Sequence, residues 1–139
     1  MLGRNSFIVS VFLVFILSIS GMLFAQRVID LDKLWGDMRV LGKDNNDYSG
    51  YAVASGDING DGFMDIIIGA HRADPGDPAR SWAGETYVVF GSSSPQSTID
   101  LSTQPADIIV CGAAADDRSG YAVASGDVNG DGLDDIIIG

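Results

Sequence analysis

An all-β chain built from a repeated sheet unit is predicted by three observations: its turn-rich composition, an internal duplication, and short strand-like runs closed by glycine. The 139 residues include 18 Gly, and the 19 acids are 18 Asp and the single Glu85. Asp, Asn and Gly favour turns and oxygen-rich loops, whereas helix surfaces draw on Glu, Lys, Gln and Ala. A helical bundle is excluded on that ground. A net charge of −11 excludes a nucleic-acid binder that works by neutralising phosphates. One Cys allows no intrachain disulfide and no Cys-rich zinc site, and one His leaves no His-rich metal chemistry.

The first element is a leader. Arg4 precedes an apolar stretch from Phe7 to Leu17, which continues through Ser18, Ser20 and Gly21 to Ala25. A basic start, an apolar core and small residues read as a secretory signal over residues 1–25, with cleavage after Ala25 or near Ser20. An uncleaved membrane anchor is the alternative, because Phe7 to Ala25 could just span a bilayer. Either reading sends the remainder outside the cytoplasm, as a secreted, cell-surface or periplasmic protein. Only the uncleaved form would contact a membrane.

A duplication follows the leader. Ser49 to Gly69 recurs as Ser119 to Gly139, with 18 of 21 positions identical. The differences are Ile58/Val128, Phe63/Leu133 and Met64/Asp134. The match extends backwards without a gap to Ile29-Asp-Leu31, paired with Ile99-Asp-Leu101. Residues 29–139 therefore form one repeat domain, with copies 29–98 and 99–139. Within it, strands are expected at 38–42, 50–56, 65–69, 84–91 and 107–112, then again at 120–126 and 135–139. These runs are β-branched or alternating and end at glycines. No segment after the leader keeps a helical period. Four strands per seventy residues, repeated, describe the blades of a β-propeller.

The same residues resemble a known family. Gly50-Tyr-Ala-Val-Ala-Ser-Gly-Asp-Ile-Asn-Gly-Asp-Gly62, then Asp65-Ile-Ile-Ile-Gly-Ala70, then Gly84-Glu-Thr-Tyr-Val-Val-Phe-Gly91, look like an FG-GAP repeat. That repeat builds the propeller of integrin α subunits and of many bacterial secreted proteins. Gly50-Tyr51 stands where the family has Phe-Gly, and Gly69-Ala70-His71 where it has Gly-Ala-Pro. The resemblance implies that residues 38–42 are the outer strand of an earlier blade. Residues 50–112 are then one whole blade and 120–139 the inner half of another. A family propeller has about seven such units, so the one and a half blades here are expected to be the amino-terminal part of a longer chain. Asp135 to Gly139 would then be an apolar edge prone to aggregation when the piece is made alone.

Two acidic loops carry the chemistry. Asp57, Asn59, Asp61 and Asp65 supply side-chain oxygens at relative positions 1, 3, 5 and 9, and the Phe63 carbonyl stands at position 7. Asp127, Asn129, Asp131, Leu133 and Asp135 repeat the set. Hard oxygens at this spacing suit Ca²⁺, which takes six to eight of them, better than Mg²⁺, which keeps its waters. Three carboxylates within nine residues also repel one another by about 1–4 kcal/mol per pair, and a divalent ion offsets that. An EF-hand is excluded because its twelfth position is Ile68 or Ile138 here. The competing reading is a solvated Asn-Gly-Asp-Gly hairpin without metal. The retention of every ligand in both copies favours calcium, in a bracing rather than a catalytic role.

By the resemblance, partners bind the face opposite the calcium loops, here Lys43–Ser49, His71–Ala83 and Ala113–Ser119. Trp82, Arg80 and Arg72 are interface-type residues in the longest of these loops. The plainer expectation is that Trp82 packs under its loop and the arginines are solvated or pair with Asp74 and Asp77. His71 reads as a packing residue, Tyr51 and Tyr121 as packing between blades, and Cys111, opposite Leu41 in the repeat, as a small buried one. Trp35 has no counterpart. No Ser-His-Asp set or hydrolytic metal constellation occurs in 29–139. Two classes remain. One is a non-enzymatic, calcium-binding propeller that displays loops to an extracellular protein or glycan. The other is the accessory propeller of a larger secreted enzyme of phospholipase or hydrolase type.

Overall fold

The computed structural model describes residues 9–10, 38–76 and 78–139. The rest of the expected leader, the repeat start at Ile29–Leu31, Trp35 and Asp77 lie outside the described residues, as does the membrane-anchor alternative. Nine strands are present among the described residues, and no helix there is long and apolar enough to cross a membrane. They are β1 (Val9–Ser10), β2 (Arg39–Leu41), β3 (Ala52–Gly56), β4 (Asp65–Ala70), β5 (Glu85–Val89), β6 (Thr98–Asp100), β7 (Ile108–Cys111), β8 (Val123–Gly126) and β9 (Asp135–Ile138).

One complete blade stands at the centre. Strands β3, β4, β5 and β7 form an antiparallel sheet in that order, with Val53 opposite Ile68, Ile68 opposite Tyr87 and Tyr87 opposite Ile109. This is the whole blade expected over residues 50–112. Strands β8 and β9 repeat the β3–β4 pairing as the inner half of the next blade. Strand β2 lies in a separate sheet, as an outer strand of an earlier blade should. There it pairs in parallel with β6 and antiparallel with β1. No pattern in the residues announces that β6 crosses back to that sheet. Its pairing joins the two units, with Leu101 N–H donating to the Leu41 carbonyl at 3.1 Å.

The side-chain alternation of β4 and β5 explains why both are buried. Ile68 and Ala70 on β4, with Tyr87 and Val89 on β5, point to one face and pack with Val40 of β2 and with Ile99 and Leu101 on and beside β6. Ile67, Thr86 and Val88 point to the other face and are fully buried. That face lies towards the second copy, where Thr86 Oγ1 approaches Gly120. A strand covered on both faces reads as a continuous apolar run, which is how Asp65-Ile-Ile-Ile-Gly69 reads. The outer strand β7 alternates instead, with Ile109 and Cys111 exposed. The expectation that Cys111 is buried therefore fails. It derived from the Leu41 position, but among the described residues the strand's outward face is uncovered, and the thiol lies beside Glu85 with Sγ 4.0 Å from Oε1.

Repeat-equivalent residues meet each other across the junction. Tyr51 Oη and Tyr121 Oη are 3.0 Å apart, and Ser125 Oγ donates to the Ser55 carbonyl at 2.6 Å. Strands β3 and β8 thus lie side by side in the same sense, and the units are related by rotation about an axis near their innermost strands. A radial array does this. Backbones approach closely at the junction. A Cβ on Gly69 would lie 2.1 Å from the Gly120 carbonyl oxygen, whereas one on Gly126 would meet nothing within 4 Å. We expect Gly69→Ala to cost about 1–3 kcal/mol through forced backbone separation, and Gly126→Ala to stay within ~0.5 kcal/mol. Urea midpoints of the two variants provide the measurement.

Candidate functional site

The antiparallel register sends the loops to opposite ends of the blade. Strand β3 runs into the loop after Gly56, and β4 leaves it at Asp65. The loops 43–49, 71–83 and 113–119 lie at the other end. The two aspartate loops are near copies in three dimensions. Asp57 Oδ1 accepts the Gly60 and Asp61 N–H groups at 2.8 and 3.1 Å, and its Oδ2 accepts Gly62 N–H at 3.0 Å. Asp127 repeats all three bonds with Gly130, Asp131 and Gly132. Asn59 Oδ1 accepts Asp61 N–H, and Asp61 Oδ1 accepts Phe63 N–H, as Asn129 and Asp131 do with Asp131 and Leu133. Such side-chain-to-backbone bonds are the reason Asp and Asn make turns. Gly60 and Gly62 take φ of 77° and 85°, and Gly130 and Gly132 repeat this at 80° and 89°. These are left-handed values that suit glycine. The Gly132 amide, followed by those of Gly130 and Asp131, holds the Asp127 carboxyl below its ordinary pKa.

Asp65 has a different task. It is fully buried, and its Oδ2 accepts Ile58 N–H at 2.9 Å while Oδ1 accepts Gly91 N–H at 2.8 Å. One carboxylate therefore ties the loop, the start of β4 and the exit of β5. Asp135 keeps the first bond, to Val128 N–H, and takes Asn129 Nδ2 at 3.5 Å in place of the second. The loops also touch each other. Asp134 Oδ2 accepts Asp57 N–H and Asp134 N–H donates to the Asp57 carbonyl, both at 3.0 Å. Sequence reasoning missed this clamp, although Asp134 against Met64 was one of the three differences between the copies.

Among the described residues, no three His, Cys, Asp or Glu side chains draw together as a metal cluster. The carboxylates of these loops are turned onto their own backbone amides. Their chemistry still fits a hard cation. A carboxylate or amide oxygen has two acceptor directions, and Asp57 Oδ2, Asn59 Oδ1 and both Asp61 oxygens each take one N–H bond. Phe63 and Leu133 are exposed beside them.

At the other end, backbone bonds staple the three loops together. Arg72 N–H donates to the Asp47 carbonyl, Asp116 N–H to Ser81, Arg118 N–H to Trp82 and Ser119 N–H to Ala83. The plainer expectation for this face fails in part. Trp82 is 43% exposed, with its N–H on Asp74 Oδ1. The Arg72 guanidinium stacks over Tyr48 at 4.4 Å and Trp82 at 5.4 Å, Arg118 lies over Trp82 at 5.5 Å, and Arg80 Nε donates to the Gly112 carbonyl. A guanidinium over an aromatic face is attracted by the ring quadrupole, which here competes with pairing to Asp74. His71 is a packing residue, buried against Tyr48, Tyr51 and Tyr121. Burial, then Arg72 and Arg118, lowers its pKa. Tyr51 and Tyr121 do pack between the units, each half-exposed. A pocket of about 170 Å³ opens beside them, lined by Tyr48, Ser49, Gly50 and Tyr51.

A buried polar network below this face was also missed from sequence. Glu85 accepts from Lys43 Nζ at 3.2 and 3.3 Å and from the Tyr87 hydroxyl. Burial and the Glu85 hydrogen bond raise the Tyr87 phenol far above its ordinary pKa. Asp47 is raised to about 6 by burial and by Asp44, Glu85 and Asp74, against a smaller opposing effect of Lys43. Glu85 as the lone glutamate was the one available signal.

Comparison with known proteins matches residues 49–89 and 119–139 to the FG-GAP repeat. The chain is 37% identical over 93 residues to phosphatidylinositol-glycan-specific phospholipase D of Bos taurus, covering 65% of this chain and 11% of that protein. It is 34% identical over 104 residues to integrin alpha pat-2 of Caenorhabditis briggsae, covering 73% of this chain and 8% of the relative. Integrin alpha-PS2 of Drosophila melanogaster is 30% identical over 122 residues, covering 86% of this chain and 8% of the relative. The chain thus spans 8–11% of the length of these relatives.

Two outcomes follow from this geometry. Asp65→Ala strands two partly buried N–H groups, and a loss of roughly 2–3 kcal/mol is expected in urea unfolding, at about 1–3 kcal/mol for each unsatisfied donor. Asp47 binds its proton more tightly when folded, because its pKa rises from 3.8 to about 6. Its stabilising contribution is therefore complete below pH 3.8 and lost as pH rises through about 6. Asp47→Asn should remove that decline and raise stability at neutral pH, read as urea midpoints against pH.

Proposed function

We propose that this chain, an FG-GAP repeat protein, is a calcium-braced β-propeller module that works outside the cytoplasm as a binding surface and performs no catalysis itself. The observation that carries this reading is the pair of aspartate loops, which adopt one hydrogen-bond pattern in two places seventy residues apart. Asp57, Asn59, Asp61, the Phe63 carbonyl and Asp65 would hold one Ca²⁺. Asp127, Asn129, Asp131, the Leu133 carbonyl and Asp135 would hold the second. When bound, the ion supplies positive charge that offsets the repulsion among three carboxylates in each loop. The protein's own part is to pre-shape the turn with backbone amides, so that little ordering remains to be done on binding. An extracellular protein or glycan would then meet the opposite end, where Trp82, Arg72 and Arg118 form an exposed aromatic and cationic surface. Arg and Trp are the residue types that anchor interfaces. Integrin alpha relatives at 30–34% identity support an extracellular, partner-binding role.

The phospholipase D relative at 37% identity favours a second reading. In it, the propeller is the accessory part of a larger secreted enzyme whose catalytic residues lie elsewhere. The leader, the calcium loops and the binding face keep their roles in either case. Phospholipase assay of the full-length protein separates the two.

Calcium added to the full-length protein should raise its melting temperature. At a hundredfold excess over the dissociation constant, each site contributes about 2.7 kcal/mol. Asp57→Ala and Asp61→Ala should each remove the response of one site. Melting that is indifferent to both calcium and excess chelator would overturn the metal assignment.

A further inference from the structure

We propose that Asn59 and Asn129 are modification sites: asparagines set to deamidate, whose reaction is held back by the fold of their own loops. Each is followed by a glycine, and each lies in an exposed loop. In an Asn-Gly pair the glycine nitrogen attacks the asparagine side-chain carbonyl carbon, because glycine has no side chain to obstruct the approach. The new bond joins Gly60 N to Asn59 Cγ, and the bond from Cγ to Nδ2 breaks. The glycine proton passes to solvent, and the released Nδ2 takes up a proton from solvent and departs as ammonia. Water then opens the resulting succinimide to aspartate or isoaspartate.

The loop opposes every part of that step. The attacking nitrogen must lose its proton and turn towards Cγ. Instead, Gly60 N–H points at Asp57 Oδ1 at 2.8 Å, and Gly130 N–H points at Asp127 Oδ1 at 2.6 Å. A neighbouring carboxylate both fixes the direction of the N–H and disfavours a negative charge on the nitrogen. The side chain under attack is also tethered. Asn59 Oδ1 accepts Asp61 N–H at 2.9 Å, and Asn129 Oδ1 accepts Asp131 N–H at 2.8 Å. The departing amide of Asn59 is bound to Asp61 Oδ2 at 3.0 Å. Opening the loop breaks these bonds together and releases the reaction. The product is irreversible under physiological conditions without a repair enzyme. Aspartate adds a fourth carboxylate to the first loop and a fifth to the second, and isoaspartate inserts an extra main-chain methylene ahead of Asp61 or Asp131. A loop that has opened for long enough therefore carries a permanent chemical record of it.

The test is incubation of the full-length protein at mildly alkaline pH in the presence of chelator, which makes the result independent of any bound calcium. Peptide mass spectrometry then counts the one-dalton gain at each asparagine separately. Because a hydrogen bond to a charged acceptor is worth a factor of about ten or more, Asp57→Ala should speed deamidation at Asn59 by roughly tenfold. Asn129 in the same molecules should keep its original rate and so report that the fold is intact. Asp127→Ala should do the reverse. Asp57→Asn keeps an acceptor oxygen and should restore most of the protection at Asn59. Two results would overturn the proposal: native protein that deamidates as fast as urea-unfolded protein, or Asp57→Ala that accelerates both sites equally.

Discussion

The architecture rests on contacts that residues of one unit make with their own counterparts in the next. Tyr51 meets Tyr121, and Ser55 meets Ser125. Identical surfaces can face each other in this way only if the units turn about a shared axis, with small residues at the innermost strands. Gly69 and Gly120 let the backbone of β4 and the backbone leading into β8 approach closely. The fully buried face of Ile67, Thr86 and Val88 follows from that approach. So does the placement of both aspartate loops at one end and three connecting loops at the other.

The acids of this chain serve two opposed purposes. At the loop end, Asp47 and Glu85 are buried near one another, and their mutual repulsion adds to burial in pushing the Asp47 pKa up. At the opposite end, Asp57 and Asp127 are surrounded by N–H donors, and Asp127 is shifted down. Backbone direction decides between the two outcomes. Left-handed glycines turn successive amides inward around a single carboxylate, which is the geometry by which main-chain nests receive anions.

Much of the fold was legible because it is local. The strands of the complete blade, the half blade and the outer strand at 38–42 could be read from β-branched runs bounded by glycine. The aspartate loops could be read from their spacing and from their exact recurrence as a motif. What could not be read depends on neighbours far along the chain. Cys111 is exposed because no described residue covers the outer face of β7, a fact of assembly that its repeat partner Leu41 does not carry. Strand β6 pairs across units, which three residues of β-prone sequence cannot announce. Arg72 and Arg118 flank Trp82 because two loops forty residues apart are stapled together, and Asp74, the partner expected from charge alone, is instead engaged by the Trp82 backbone.

Near-identical units carry a hazard: the wrong neighbours can dock, since every seam looks like every other. Asp134 supplies a distinction. Where the first copy has Met64, the second reaches across to the Asp57 backbone with both its carboxylate and its amide. A methionine in that place could not accept the Asp57 N–H as a carboxylate does. At this seam the second copy therefore offers a hydrogen-bonding group that the first copy lacks at the equivalent position.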